Sequence, residues 1–268
     1  MDIQQQKPYK VLLIGESCID VYAFGKIDRH YSESKIDNVM TNDVPIFNVA
    51  KSVKKDGMAL NVKKSLSNLG CDVVFLTNKK IIEKKRYILE ETQKHFMRSD
   101  EHDTCDPISN DQVKKLSWND YDFVVVSDYN KGAVTGTVIK TIVENFKGHI
   151  FVDTKKTDLS IFENCIIKIN QFEKERVVSF PKNYQIIVTI GEKGAIFKEK
   201  PFSAYPVSNV LDICGAGDNF LVGLALMMQA TDNMEKSIEF ANYCSSLCIE
   251  AIGNKPITKQ DVKNYVKD

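Results

Sequence analysis

The stretch Asp212-Ile213-Cys214-Gly215-Ala216-Gly217-Asp218 is the most informative segment of this sequence. Its small residues Gly215, Ala216 and Gly217 are followed by an apolar run that starts near Asn219. We therefore predict a tight glycine loop that leads into a helix. Backbone N–H groups at a helix start bind anions, and glycines let a phosphate approach the backbone closely. Beside such an anion site, the carboxylate of Asp218 can take a proton from a hydroxyl group.

Short apolar runs alternate with helical patterns along the rest of the chain. The runs of strand length are residues 11–14, 73–76, 123–126, 150–152, 165–169 and 186–190. The segments with helical periodicity are residues 59–69, 135–146, 220–230, 237–251 and 262–266. This alternation predicts an α/β fold with right-handed crossovers and a mostly parallel central sheet.

Polar residues recur where the predicted strands end. They are Asp20, Asp128, Asp153, Asn170 and Thr189. Open α/β sheets bind ligands outside the carboxyl ends of their strands, so this recurrence predicts a cleft at that edge.

Composition narrows the functional class. Lys plus Arg and Asp plus Glu are each 36 among 268 residues, which gives no basic footprint for nucleic-acid binding. The seven Cys and four His are scattered without zinc or triad spacing. The first apolar run, residues 11–14, is too short for a signal peptide or a membrane span. We expect a cytoplasmic protein with no membrane or nucleic-acid partner.

The segment 212–218, with Phe220 after it, resembles the C-terminal signature of the ribokinase (PfkB-type) carbohydrate kinases. By that resemblance Asp218 is the catalytic base and the amides of residues 215–217 form the anion hole. Ile213 departs from the pattern, since the family usually has Thr there. The resemblance implies a ribokinase-like three-layer fold with a small β lid, and ATP and Mg²⁺ as cofactors.

Two further motifs resemble the sugar side of that family. Residues 57–62 resemble Gly-Gly-x-x-x-Asn-Val, with Asp56 replacing the first Gly, so that Gly57 and Asn61 are expected to contact sugar hydroxyls. Residues 15–20 resemble the family's first strand-end motif, in which Asp20 binds the sugar.

Three features resemble its nucleotide side. Asn170 and Glu173 match the Asn-x-x-Glu motif, in which Glu173 acts on magnesium through water. Residues 189–194 resemble the nucleotide-binding Thr-x-Gly-x-x-Gly turn, which assigns Thr189, Gly191 and Gly194. Asn242 falls on the helix that flanks the adenine.

Within the family, the heptose 7-phosphate kinases of ADP-heptose synthesis are most similar. Residues 127–132 resemble their Ser-Asp-Tyr-x-Lys-Gly loop, and residues 153–155 their Asp-Pro-Lys. Residues 84–86 and 98–100 resemble their Lys-x-Arg and Arg-x-Asp strands. The implied reaction converts D-glycero-D-manno-heptose 7-phosphate to the 1,7-bisphosphate. It places Asp128 and Lys131 at the substrate and Lys155 at the nucleotide.

Lys84 and Arg86 are two positions apart, so on a strand both point to one face. Paired cations suit a phosphorylated substrate, although a solvated basic strand would have the same pattern. We interpret residues 22–56 as short strands and loops, which with 84–100 form a small lid on a single domain of residues 1–268. Residues 87–97 are interpreted as strands because residues 84–86 and 98–100 resemble strand motifs of the heptose 7-phosphate kinases.

Other interpretations stay open at this stage. A kinase of an unphosphorylated sugar or a nucleoside fits the same motifs, and so does a non-catalytic sugar- or nucleotide-sensing relative. The chain is shortened between Leu76 and Lys84, where the family has a helix and a strand, and between Glu173 and Ile186, where it has a helix. Lid strands in this family often pair between subunits, so a homodimer through the lid is a further expectation.

Overall fold

The computed structural model describes residues 8–31, 44–250 and 252–265. The strands are β1 (Lys10–Gly15), β2 (Ser17–Tyr31), β3 (Val44–Met58), β4 (Asp72–Leu76), β5 (Ile82–Leu89), β6 (Lys94–Glu101), β7 (Phe123–Asp128), β8 (Ile150–Thr154), β9 (Ile166–Asn170), β10 (Gln185–Thr189), β11 (Ala195–Phe197) and β12 (Lys200–Phe202). The helices are α1 (Ala59–Asn68), α2 (Asn110–Lys114), α3 (Gly136–Asn145), α4 (Gln171–Glu175), α5 (Ala216–Thr231), α6 (Met234–Ile249) and α7 (Lys259–Tyr265).

The central sheet has eight strands in the order β12-β11-β10-β9-β8-β7-β1-β4. The strands from β4 to β10 in this order pair in parallel, as the alternation predicts. The β11–β12 hairpin at the edge is antiparallel and was not predicted. Its turn places Lys198 and Glu199 at positive φ without the Asn-Gly pair that usually marks such turns.

Helices cover both faces of this sheet, which gives three layers. On one face Leu13 belongs to a core that includes Phe220 of α5 and Val62 of α1. On the other face Leu12 packs in a core with Ile139 of α3. Neighbouring β1 residues therefore enter opposite cores, and the predicted α/β class is confirmed. No helix of the described ranges is long and apolar enough to cross a membrane.

A second sheet of four strands, β3-β2-β5-β6, stands beside the first and is called the small sheet below. The prediction of short strands and loops over 22–56 is wrong in length, because β2 and β3 have 15 residues each. Register shifts near Gly25 and Arg29 break the alternation that would have marked long strands. The prediction also covered residues 32–43, which lie outside the described residues.

The two shortened stretches hold little regular structure. Residues 77–81 connect β4 directly to β5, and only the five-residue α4 stands between β9 and β10. The predicted helix at 262–266 is found as α7, with residue 266 outside the described part of the chain. Neither shortened stretch includes the start of α5, which lies with the carboxyl ends of the parallel strands beneath the small sheet.

Candidate active site

Asp218 lies in the first turn of α5, where the predicted glycine loop becomes a helix. Gly215 is the residue before the helix and has φ 84°, a conformation that favours glycine. The side chain of Asp218 is buried, and both of its carboxylate oxygens accept hydrogen bonds. Asn61 Nδ2 donates to Oδ2 at 3.0 Å, and the hydroxyl of Tyr129 donates to Oδ1 at 2.8 Å.

Burial raises the pKa of Asp218 to about 6, and the nearby charge of Asp153 adds to the shift. The hydrogen bonds from Asn61 and Tyr129 oppose it because they favour the ionised form. A carboxylate with this pKa is mostly ionised at neutral pH and is a stronger base than an exposed aspartate. These are the properties that general base catalysis requires.

The loop before α5 is held by Asp212, which is also buried. Burial alone would raise the pKa of Asp212, but N–H groups of Cys214 and Gly253 lower it below its usual value. These groups donate to its two oxygens at 3.0 and 2.9 Å. Asp212 thus fixes the loop that presents the backbone amides at the helix start.

The start of α5 is a suitable anion site. Amides in the first turn of a helix lack acceptors within the helix. Of the three amides predicted to form the hole, that of Ala216 donates to the carbonyl of Ile213 at 3.3 Å. At Gly217 a Cβ atom would lie 2.7 Å from Nζ of Lys168. A side chain there would displace this ammonium group, so the glycine keeps a cation beside the loop.

Lys168 was not found from the sequence, although it is the one charged residue in the apolar strand β9. It is buried and pairs with Asp153 Oδ2 at 2.7 Å. Lys155 lies 3.6 Å from the other oxygen of Asp153 and also pairs with Glu173. Burial disfavours ionised Asp153, but Lys155 and Lys168 hold its pKa below the usual value. The site therefore contains two ammonium groups next to the anion loop.

Asn170 and Glu173 form a capping box at the start of α4. Asn170 Oδ1 accepts from the N–H of Glu173 at 2.9 Å, and Glu173 Oε2 accepts from the N–H of Asn170 at 2.7 Å. The second oxygen of Glu173 faces Lys155. The predicted Asn-x-x-Glu motif thus fixes a carboxylate near the lysines.

The donor set fits magnesium held mainly by phosphate oxygens and water. Within the described ranges, no three His, Cys, Asp or Glu side chains cluster as metal ligands would. Mg²⁺ commonly uses one or two carboxylates and keeps several waters. Asp153 would serve directly, since its Oδ1 is buried with no hydrogen-bond partner in the described part of the chain. Glu173 would act through water, because Asn170 and Lys155 already donate to its two oxygens.

On the opposite side of Asp218, the predicted sugar residues come together under the small sheet. Asp20 lies 2.9 Å from Arg86, and Asn254 Nδ2 donates to Asp20 at 3.2 Å. A Cβ atom at Gly57 would lie 2.2 Å from Asp20 Oδ2, so glycine is required for this arrangement. Lys84 is buried with its Nζ 5.6 Å from the centre of the Tyr129 ring.

Two residues of this side were missed from the sequence. Asn254 follows α6 and is far from Asp20 in the sequence, yet its Nδ2 donates to Asp20. Its Oδ1 would lie 2.8 Å from a Cβ atom at Gly215. Tyr129 belongs to the motif at residues 127–132 but was assigned no role, yet its hydroxyl donates directly to Asp218. The signals for Tyr129 in the sequence were its place after the polar end of β7 and its position in the motif at residues 127–132.

Other predicted residues make structural contacts. Asp128 accepts hydrogen bonds from Thr154 Oγ1 at 2.7 Å and the N–H of Asn130 at 2.9 Å. Lys131 pairs with Asp103. Asn242 Nδ2 donates to the carbonyls of Phe202 and Ser203, which joins α6 to the end of β12. Their predicted roles toward ligands stay predictions.

The predicted nucleotide turn follows β10. Thr189 Oγ1 lies 3.5 Å from the carbonyl of Ile169. Gly191 has φ 63° and faces open space, whereas Gly194 has φ 92° and packs against the backbone of Phe202. Both glycines are thus explained by backbone conformation, and the open face at Gly191 leaves room for a ligand.

Comparisons with known proteins agree with this geometry. The model of the pfkB family carbohydrate kinase matches residues 169–260, which include α5 and its glycine loop. A bifunctional protein HldE of Nitratiruptor sp. is 26% identical over 96% of the chain, and one of Helicobacter acinonychis is 27% identical over 94%. The chain spans 64% and 65% of the length of these two relatives.

Solved structures have the same fold. Phosphofructokinase-2 of Escherichia coli, in complex with potassium, superposes with a TM-score of 0.71 at 15% identity, covering 97% of this chain and 100% of that one. Ribokinase of Arabidopsis thaliana, complexed with ribose and ATP, gives 0.69 at 15% identity, covering 98% and 100%. Residues 169–260 are thus similar to the pfkB family of carbohydrate kinases, and the chain has the ribokinase-like fold of these solved structures.

Proposed function

We propose that this protein transfers the γ-phosphate of ATP to a hydroxyl group of a sugar phosphate. The acceptor that fits best is heptose 7-phosphate, which gives the 1,7-bisphosphate. The observation that supports phosphoryl transfer is the buried carboxylate of Asp218 at the start of α5, next to the anion loop and the ammonium group of Lys168.

The residues divide the chemistry between them. Asp218 accepts the proton of the attacking hydroxyl, since each carboxylate oxygen keeps a lone pair beyond the bond it already accepts. The first-turn amides and Lys168 stabilise the negative charge on the phosphoryl group in flight. Bound magnesium supplies further neutralisation of the phosphate oxygens. Asp20, Asn61 and Asn254 orient the acceptor so that its hydroxyl lies near Asp218.

A cavity lined by two arginines among apolar residues supports a phosphorylated acceptor. It has a volume of about 540 Å³ and lies between β6 and the loop before α5. Arg86 and Arg98 line it and stand directly opposite each other on β5 and β6. Side chains at directly opposed positions of antiparallel strands point to the same face. Arg86 pairs with Asp20 and Arg98 with Asp100, but each guanidinium group has five N–H donors, so donors remain for a phosphate on this face.

The similarity to proteins named bifunctional protein HldE supports the heptose class of acceptor, as do the motifs at residues 84–86 and 98–100. The identity of 25–26% leaves the individual sugar to be tested. We also propose that ATP lies toward β10 and the open face of Gly191, and that the protein works in the cytoplasm.

The test compares heptose 7-phosphate with unphosphorylated heptose as acceptors, using ADP release. We expect the phosphorylated sugar to have the higher kcat/KM, because only it engages Arg98. In Arg98→Gln this preference should fall about tenfold or more, which corresponds to the roughly 1.5–3 kcal/mol of a hydrogen bond to a charged group. Lys85→Gln is the matched control, since Lys85 neighbours Arg86 on β5 and points to the other face.

A wild-type protein that prefers an unphosphorylated sugar or a nucleoside would support a different acceptor within the family. An unchanged preference in Arg98→Gln would remove Arg98 from the acceptor site. No ADP release with any acceptor would favour a sensing protein that retains the fold.

A further inference from the structure

Tyr129 is the residue nearest to Asp218 that the family motifs of the active site leave without a role. Its hydroxyl lies 2.8 Å from Oδ1 of Asp218. A carboxylate can only accept when it is ionised, so the phenol is the donor in this bond. Burial and the neighbouring Asp218 raise the pKa of Tyr129 well above its usual value. The phenol therefore stays protonated at neutral pH and acts only as a donor.

The backbone around Tyr129 is anchored by a buried glutamate. Oε2 of Glu16 accepts the N–H of Tyr129 at 2.7 Å, and Oε1 accepts the N–H groups of Lys131, Ala133 and Val134 at 3.0 to 3.3 Å. One carboxylate thus binds four backbone N–H groups of the loop after β7. This arrangement gives the phenol a defined position instead of a mobile one.

The Tyr129 ring is fixed as well. Nζ of Lys84 and Nζ of Lys155 each lie 5.6 Å from its centre. Lys84 comes from the small sheet and Lys155 from the end of β8. Cations over an aromatic face are attracted to it, more so where water is excluded. The hydrogen bond to Asp218 therefore restrains the hydroxyl, and the two lysines restrain the ring.

We propose that Tyr129 is a positioning residue for Asp218, which orients the carboxylate and keeps it ionised by donating to Oδ1. Asn61 does the same at Oδ2. Two donors at fixed places select one rotation of the carboxylate, and they leave lone pairs for the acceptor hydroxyl. They also offset the burial that favours the neutral form, in which Asp218 is inactive as a base. This inference rests on the proposed function, in which Asp218 is that base.

The test is Tyr129→Phe, which keeps the ring and removes only the hydroxyl. Losing a donor to the ionised form raises the pKa of Asp218, so the acid limb of kcat/KM for the acceptor should move to higher pH. The expected shift is roughly one to two pH units, from a bond to a charged group of about 1.5–3 kcal/mol and 1.36 kcal/mol per unit. From a pKa of about 6, this shift lowers the ionised fraction of Asp218 at pH 7 about two- to tenfold, so kcat/KM should fall by a similar factor. The affinity for ATP should be unchanged.

Tyr121→Phe is the matched control, because Tyr121 lies outside the cleft beside Lys10. Tyr121→Phe should leave both the acid limb of the pH profile and kcat/KM at pH 7 unchanged. A rate loss in Tyr129→Phe with an unmoved limb would show a merely structural role and overturn the proposal.

A second measurement separates this inference from the proposed function. The pKa of the Asp218 carboxyl can be followed by ¹³C NMR in the full chain without substrates, with Asp218→Asn used for assignment. We expect a higher pKa in Tyr129→Phe than in the wild type, even if the acceptor has been assigned wrongly. Equal pKa values in the two proteins would overturn the inference, whereas an inactive wild type with a raised pKa in the variant would overturn only the proposed function.

Discussion

At the residue scale, Lys168 shows how one charge in an apolar strand serves the site. Its ammonium group is buried, pairs with Asp153 at 2.7 Å and occupies the space beside Gly217. Burial of a charge is unfavourable unless the group is paired. The pair with Asp153 satisfies this condition and leaves the ammonium group next to Gly217 in the anion loop.

We predict that Lys168→Met lowers kcat for phosphoryl transfer about 100-fold or more, the usual scale for removing one group that stabilises transition-state charge. Methionine has a similar length but no charge, so the volume of the site is kept. Lys182→Met, at an exposed position away from the cleft, is the control. Steady-state kinetics at saturating ATP measures the effect, and a kcat within about twofold of the wild type would contradict the assigned role.

The sequence reveals site residues that lie in local motifs, but not those that join the site through contacts between distant positions. Asp218 and Asn61 were found because each lies in a recognisable local motif. Their hydrogen bond, across 157 positions, became visible only in the structure. Asn254 contacts Asp20 across 234 positions and lies in no motif, so no local pattern could have placed it in the site.

At the element scale, the pairing of β2 with β3 decides the acceptor side. Cys18 stands opposite Gly57 in that pairing, and Asp20 reaches across the space that a side chain at position 57 would fill. The absence of a Cβ atom at Gly57 thus lets Asp20 contact both Arg86 and Asn254.

Gly57→Ala should therefore displace Asp20 and raise KM for the acceptor about tenfold or more, consistent with weakened hydrogen bonds to a charged group. The affinity for ATP, measured by titration calorimetry, should stay unchanged because the nucleotide residues lie on other strands. Gly136→Ala is the control, since its added Cβ atom would lie 4.0 Å from Ile161, an ordinary contact. An unchanged KM in Gly57→Ala would show that Asp20 does not touch the acceptor.

The elements themselves were predictable to different degrees. The central-sheet strands β1, β7, β8 and β9 are buried on both faces, so they appear as continuous apolar runs. In β3 many side chains are exposed or half-buried, and register shifts interrupt its pairing with β2. These features hid the true length of the strands. The five-residue α4 was missed because it is shorter than a helical pattern can show.

At the scale of the whole molecule, the site is assembled from three parts of the chain. The small sheet and α1 bring Asp20 and Asn61, the middle strands bring Tyr129 and Asp153, and the carboxyl-terminal helices bring Asp218. The small sheet also has two edges, at β3 and β6, and a homodimer through these strands remains a prediction. The shortened stretches lie outside this assembly, so the groups proposed to act in phosphoryl transfer are present.

The most direct test of the account is phosphoryl transfer by Asp218→Asn, measured by rapid quench, together with ATP binding measured by titration calorimetry. A side chain that cannot take the proton should lower the rate about 100- to 10,000-fold, the range of general base catalysis. ATP affinity should stay within about twofold of the wild type, because Asp218 faces the acceptor. A rate similar to that of the wild type, or loss of ATP binding along with activity, would contradict the role of Asp218 as the base.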